Sequence, residues 1–341
     1  MSELIGFALG VISGLLTNII WVRRGRLRSL AEGIRQPKYE PLGFTPAEVG
    51  LFPLNRWTTA RPLQRNHLQV SVTETRPQQQ WFNESEWQRI ADEFHRRYTG
   101  DIGFLTDASI DHRESREGED FRYTITPCDY SEHLATVEYL RRHPEAQSRI
   151  RASFADGDII AFARTSPPTS IKINVAVLNL DNEFLAVQRS GAVDFKRGVW
   201  TVGPNEGMKL ARHTTPGDPP EDFFDLGERC LREELNLEPV DYSGINISWV
   251  GYEVKTIQFK VYAQVRTHLS KREVNERLLS SHSLFEAQDT KWIPFQKKYV
   301  MDIVQNWESG DSADRKWSSS APHTLQEMWR MRHLLRLTDH P

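Results

Sequence analysis

Cysteine, net charge and repetition are what this sequence has least of. Cys128 and Cys230 are its only two cysteines in 341 residues, too few and too far apart for a disulfide framework or a cysteine-built zinc site. Lysine and arginine number 43 against 46 acidic residues, a formal charge of −3. That balance gives no support to the basic groove with which a nucleic-acid binder neutralises many phosphates. There is no internal repeat and no low-complexity tract. The length suits one or two globular domains with appendages, so function has to be sought in individual segments.

What is present begins with a charge-free run, LIGFALGVISGLLTNIIWV, from Leu4 to Val22. As a helix it would extend about 28 Å, close to the roughly 30 Å of a bilayer core, which predicts a retained transmembrane helix. A cleaved signal peptide is the competing reading, but no basic n-region precedes the run and no small-residue cleavage motif closes it. Arg23, Arg24, Arg26 and Arg28 follow, and Glu3 is the one charged side chain before them. The positive-inside rule therefore places the N-terminus outside and the remaining chain in the cytoplasm, single-pass. Gly6, Gly10 and Gly14 recur every four residues and Asn18 continues their face. Such a small, mildly polar stripe lets helix backbones approach and hydrogen-bond, which predicts self-association into a homo-oligomer.

After this helix and its basic flank (1–28), residues 29–100 read as a connector, proline-rich and irregular up to Gln80. It closes with an amphipathic helix, Glu84 to Tyr98, that aligns Trp87, Ile90, Ala91, Phe94 and Tyr98. A strand from Phe121 leads to a helix from Ser131 to Arg142, which Pro144 helps to end. From about Ile159 the character becomes β. SIKINVAVLNL and EFLAVQR flank the turn-forming Asp181-Asn182 as a hairpin, and INISWVGYE, KTIQFKVYAQVRT and KWIPF add further strands. Helices are expected at Lys271 to Leu279 and Val300 to Trp307. Strands on both sides of a central helix predict a mixed α/β sandwich over 101–310. The remainder, 311–341, carries a docking helix from Thr324 to Leu337; contact with a membrane surface is the other reading of that tail.

The central helix holds GERCLREELNL, Gly227 to Leu237. At 100° per residue Phe224, Leu231 and Leu235 share a core-facing arc, while Cys230, Glu233 and Glu234 share another. Two acids on one face can hold a hard cation that in turn binds phosphate. The same residues also read as a charged helix end with routine ion pairs, Arg229 standing four before Glu233.

The order strand, Arg189-Ser190, GVWTVGPNEGM from Gly198, Glu221, then Arg-x-Leu-x-Glu-Glu resembles the Nudix family. Glu221, Arg229, Leu231, Glu233, Glu234 and Leu237 stand at the spacing of that family's box; Thr215, Cys230 and Asn236 depart from it. The resemblance implies an α/β/α sandwich with a mixed sheet. It also implies a ligand site drawing on Arg189, Arg197 and Arg229 for phosphates, on Trp200 or Tyr252 for base stacking, and on Glu206, Glu233 and Glu234 as oxygen ligands if a Mg²⁺ ion is bound. Cys230 replaces a glutamate of the metal-binding set, which removes one charge and one oxygen and argues against catalysis, so no catalytic residue is assigned. One transmembrane helix, an intervening helical region containing CDYSEHLAT from Cys128, and a degenerate Nudix-like domain together resemble the membrane-anchored Nudix effectors of bacterial CBASS anti-phage systems. That resemblance implies a cyclic oligonucleotide ligand made by a cognate nucleotidyltransferase, a location in the bacterial inner membrane, and membrane disruption by the assembled protein. The alternatives are a membrane-tethered, Mg²⁺-dependent Nudix pyrophosphohydrolase of nucleoside diphosphate derivatives and an adaptor with a vestigial pocket.

Overall fold

The computed structural model describes residues 51–56, 63–77, 80–98, 100–112, 119–155, 159–190, 198–210, 220–253, 257–281, 287–307 and 316–332. All belong to one compact unit, Gly43–Pro341. The charge-free run with Gly6, Gly10, Gly14 and Asn18 lies outside these residues. Among the described residues no helix is long and apolar enough to cross a membrane.

The strands run β1 (Leu51–Arg56), β2 (Leu68–Val72), β3 (Asp101–His112), β4 (Glu119–Asp129), β5 (Ile171–Leu178), β6 (Glu183–Arg189), β7 (Trp200–Val202), β8 (Asn205–Gly207), β9 (Asn246–Glu253), β10 (Gln258–Arg266) and β11 (Ala287–Pro294). Eight form one sheet in the order β1-β9-β10-β5-β6-β11, with β7 beside β6 and β8 beside β5. All its pairings are antiparallel except β10 with β5. A second, three-stranded sheet has the order β2-β4-β3. The helices are α1 (Glu84–His95), α2 (Tyr130–Arg142), α3 (Pro144–Ala155), α4 (Ile159–Thr165), α5 (Phe223–Leu235), α6 (Lys271–Leu278), α7 (Lys297–Asn306) and α8 (Ser320–Met331). The fold is mixed α/β.

The helix α5 lies between the two sheets. Its Phe223 stacks on Tyr123 of β4 at 4.2 Å and faces Phe259 of β10 at 6.1 Å; a side chain buried to this degree contributes roughly 2–3 kcal/mol. Gly227 brings the helix close to the large sheet, because a Cβ there would stand 2.9 Å from Ile245 and 3.3 Å from Ile173. Asp222 caps the N-terminus by accepting from the Phe224 and Asp225 amides. At the other end Asn236 takes the left-handed conformation, φ 54°. Asparagine is the side-chain-bearing residue that best tolerates that cap.

On its other face the large sheet is polar. The strand β10 is buried along its whole length, yet it alternates Phe259, Val261, Ala263 and Val265 with Gln258, Lys260, Tyr262, Gln264 and Arg266. The apolar set faces α5. The polar set turns toward α8, where His323 packs against Trp249 and Tyr262, Arg330 donates to the Ser248 carbonyl, and Ser319 donates to Glu253 at 2.5 Å. The expected docking helix is therefore present as α8, beginning at Ser320 rather than Thr324; Leu334 and Leu335 lie outside the described residues.

Several expectations change. The irregular connector contains β1 and β2. β3 spans a stretch given no strand. Residues 159–165 are helical, because Phe162 is held edge-on by Phe154 and Tyr252. Pro144 does follow the end of α2, but it also opens α3 as its first residue, the position where a missing N–H costs nothing.

Candidate functional site

Two constellations flank the short strand β8. Lys172 pairs with Gly207, Ile173 with Glu206 and Asn174 with Asn205. Paired residues share a face of a sheet and successive ones alternate, so Glu206 points toward α5 while Asn174 and Asn205 point the opposite way. The turn into β8 is set by Gly203, φ +68°, where a Cβ would meet the Val175 carbonyl oxygen at 2.0 Å. Only glycine fits.

On the α5 side Arg229 is the centre. Its Nε and Nη2 donate to the two oxygens of Glu221 at 2.6 and 3.0 Å, and Nη2 also donates to the Gly207 carbonyl at 2.7 Å. Nη1 lies 3.3 Å from Glu206 and 3.5 Å from Glu233. Lys209 closes the cage, with its ammonium 2.8 Å from Glu233 and 3.9 Å from Glu206. Burial works against the Arg229 charge, but Glu221, Glu206 and Glu233 more than offset it and hold its pKa above the ordinary value. Burial would raise the Glu233 carboxyl; Lys209 and Arg229 pull it below the usual range instead. The expected pairing of Arg229 with Glu233 is thus present, but the fork on Glu221 dominates it.

Cys230 does not share an exposed face with Glu233 and Glu234. It is fully buried, and burial, with Glu234 and Glu206 nearby, pushes its thiol well above the ordinary value. It stays protonated and supplies no anionic ligand. Glu234 remains partly exposed on the same helix. Among the described residues no three histidine, cysteine or acidic side chains converge to hold a metal ion. The cage of Glu206, Glu221 and Glu233 is already filled by two basic groups.

On the opposite face lies an open cleft. Lys172 and Asn174 of β5, Arg189 of β6, Thr201 of β7, Asn205 of β8 and Lys260 of β10 line it, with His133 and Tyr130 of α2 and Ser318 and Ser320 at the start of α8. None of its lining residues is acidic. Lys260 is registered beside Lys172 by the parallel pairing and has Glu253 behind it at 3.6 Å. Arg189 donates to Asn205 at a long 3.4 Å, and its buried Nε has no partner. Asn174 is 2% exposed and its Oδ1 is also without a partner. His133 accepts from the Ser170 amide at Nδ1 and lies 3.3 Å from the Ser170 hydroxyl and 3.1 Å from Gln258 through Nε2. Burial first, then Lys172 and Lys260, lowers its pKa to about 3, so the ring is neutral. The cleft offers cations and one orphaned acceptor, a set suited to a phosphate-bearing molecule that also carries a hydrogen-bond donor.

The sequence-derived site residues therefore divide. Glu206, Arg229 and Glu233 gather at the cage, Glu234 stands partly exposed on the same helix, and Arg189 belongs to the cleft across the sheet. Arg197 lies outside the described residues. Trp200 and Tyr252, expected to stack on a base, are both buried and belong to the packing. Lys291 sits 3.8 Å over the Trp200 ring, and Tyr252 is enclosed by Phe154, Phe162 and Phe259. Lys172, Asn174, Lys260, His133 and Lys209 were missed. For Lys172, Asn174 and Lys260 the available signal was the polar alternation of β5 and β10, which reads as a solvated face unless something covers it.

No family model and no curated protein matches the chain. Solved structures that resemble it include a protein from Deinococcus radiodurans at 13% identity, covering 48% of this chain and 87% of that one with a TM-score of 0.34. The NUDIX domain of Shewanella oneidensis NrtR, in complex with ADP ribose, matches at 13% identity over 50% of this chain and 90% of that one, TM-score 0.29. An Ap4A hydrolase from C. elegans matches at 16% identity over 50% of this chain and 99% of that one, TM-score 0.28. Likenesses of this degree carry no argument.

Proposed function

We propose that this chain binds a phosphate-bearing nucleotide derivative in the cationic cleft and holds it intact. The observation that carries this reading is the convergence of Lys172, Arg189 and Lys260 on a cleft without a lining carboxylate, with the Arg189 Nε and Asn174 Oδ1 unsatisfied. A buried donor or acceptor left unpaired costs about 1–3 kcal/mol, which a bound ligand recovers. The filled cage and the buried Cys230 thiol support retention without cleavage.

Joined to the sequence reading, the ligand is a cyclic oligonucleotide from a partner nucleotidyltransferase, and the protein is a CBASS effector anchored by residues 4–22 in the bacterial inner membrane. Ligand binding favours an assembled form, tethered helices gain effective concentration, and their small faces pack to breach the bilayer. The second reading, a Mg²⁺-dependent Nudix hydrolase, is favoured by the clustering of Glu206, Glu221 and Glu233.

One experiment separates them. The full-length protein in detergent is incubated with a panel of cyclic oligonucleotides and nucleoside diphosphate derivatives, with and without Mg²⁺, and the bound and released species are identified by mass spectrometry. Retention of an intact cyclic oligonucleotide is expected. Brisk turnover that disappears in Glu233→Gln would establish the hydrolase instead. In liposomes, Gly10→Leu should insert normally yet suppress ligand-triggered dye leakage; undiminished leakage removes the glycine stripe from the mechanism.

A further inference from the structure

The family that the helix motif resembles would place a divalent cation among the acids of α5, and the residues present do not fit one. Glu206 Oε1 is 3.3 Å from Arg229 Nη1, 3.9 Å from Lys209 Nζ and accepts from the Gly207 amide at 3.0 Å. Glu233 Oε2 is 2.8 Å from Lys209 Nζ and 3.5 Å from Arg229 Nη1. Both oxygens of Glu221 are taken by the Arg229 fork. The oxygens that would turn toward a shared ion each face two cationic groups. A magnesium ion requires a near-octahedral oxygen shell at about 2.0–2.1 Å, and here the position between Glu206 and Glu233 is spanned by an ammonium.

We propose that Lys209 is a built-in cation standing in the metal's place between Glu206 and Glu233, so that the site is held together without a divalent ion. Its backbone is positioned for this. Lys209 bridges to Ile102 of β3, and the Gly103 amide donates to the Met208 carbonyl at 3.3 Å, which fixes where the lysine leaves the chain. Its side chain stays largely exposed and reaches back to the two glutamates. Arg229 is buried and permanently charged, so it anchors the carboxylates from below; the lysine supplies the second positive charge from the solvent side. A compact ammonium matches the role of a point charge, and it comes already attached. The inference goes beyond the ligand-binding reading, and its failure would leave that reading standing, because the test scores cation binding alone.

The test is Mn²⁺ binding to the full-length protein after chelator treatment, followed by electron paramagnetic resonance and calorimetry, for wild type, Lys209→Met and Lys209→Arg. Lys209 is exposed, so both variants should fold, and thermal melting confirms it. Lys209→Met should bind Mn²⁺ at least about tenfold more tightly than wild type, about 1.4 kcal/mol, and lose the gain when combined with Glu233→Gln. Lys209→Arg, which keeps the charge, should behave as wild type. Equal Mn²⁺ affinity in wild type and Lys209→Met overturns the proposal, as does tight wild-type binding abolished by Glu233→Gln.

Discussion

Replacing Arg189 with methionine should strengthen the empty protein and weaken its hold on ligand. In the cleft the guanidinium makes one long bond to Asn205, leaves its buried Nε unsatisfied, and shares the space with Lys172 and Lys260. The orphaned donor costs about 1–3 kcal/mol, and the neighbouring ammonium groups add repulsion. Methionine keeps most of the aliphatic stem and fills irregular space well. A gain of about 1–2 kcal/mol in the ligand-free state follows, read as a higher melting temperature. A phosphate accepting from the same guanidinium forms a charge-assisted bond worth about 1.5–3 kcal/mol, so its loss weakens binding by about 10- to 150-fold. Calorimetric titration with the cyclic oligonucleotide retained by wild type, alongside thermal melting of both proteins without ligand, reads both effects. A lower melting temperature combined with unchanged affinity would refute the reasoning, since it would make Arg189 a structural residue.

Gly203→Ala should destabilise by several kcal/mol, because the left-handed conformation costs roughly 1–2 kcal/mol for alanine and the new Cβ meets the Val175 carbonyl at 2.0 Å; a urea midpoint near wild type would contradict the turn geometry. His133→Gln should flatten the acid limb of the stability curve. As pH falls below 6.5 the unfolded chain takes up a proton that the buried ring resists until about 3. Stability is therefore complete above that range and declines through it, by about 2 kcal/mol at pH 5, and chemical denaturation at several pH values checks it. Arg229→Ala leaves Glu221 without its partner and Glu206 and Glu233 with Lys209 alone, and should cost about 3 kcal/mol at neutral pH, less in acid as the carboxylates protonate. A loss below about 1 kcal/mol at pH 7 by the same assay, the scale of an exposed pair, would show that the cage is solvated.

The legible parts of this fold were those where pattern and packing agree. The apolar arc of α5, the hairpin around Asp181-Asn182 and the alternation of β10 all carry their periods openly, and each formed. β1 was hidden by Pro53, and β3 by its aspartates and serine, residues rare in strands; pairing with β9 and β4 decided both. The apolar run IIAFA at Ile159 looked like a strand because short buried segments carry no period of their own. At the site, Glu206, Arg229 and Glu233 were found because one motif groups them. The cleft was not, because its residues come from separate strands, α2 and the start of α8, and meet only when β5 and β10 align.

That parallel alignment also governs when the protein becomes a protein. β5 is flanked on one side by segments made soon after it, but its other neighbour, β10, is synthesised only after the intervening strands, α5 and β9. Until Gln258 to Arg266 emerges, β5 presents a bare hydrogen-bonding edge and Phe223 lacks the aromatic surface of Phe259. Closure of such a distant pair is slow and cooperative. A nascent chain halted just short of β10 is therefore a client for chaperones and proteases.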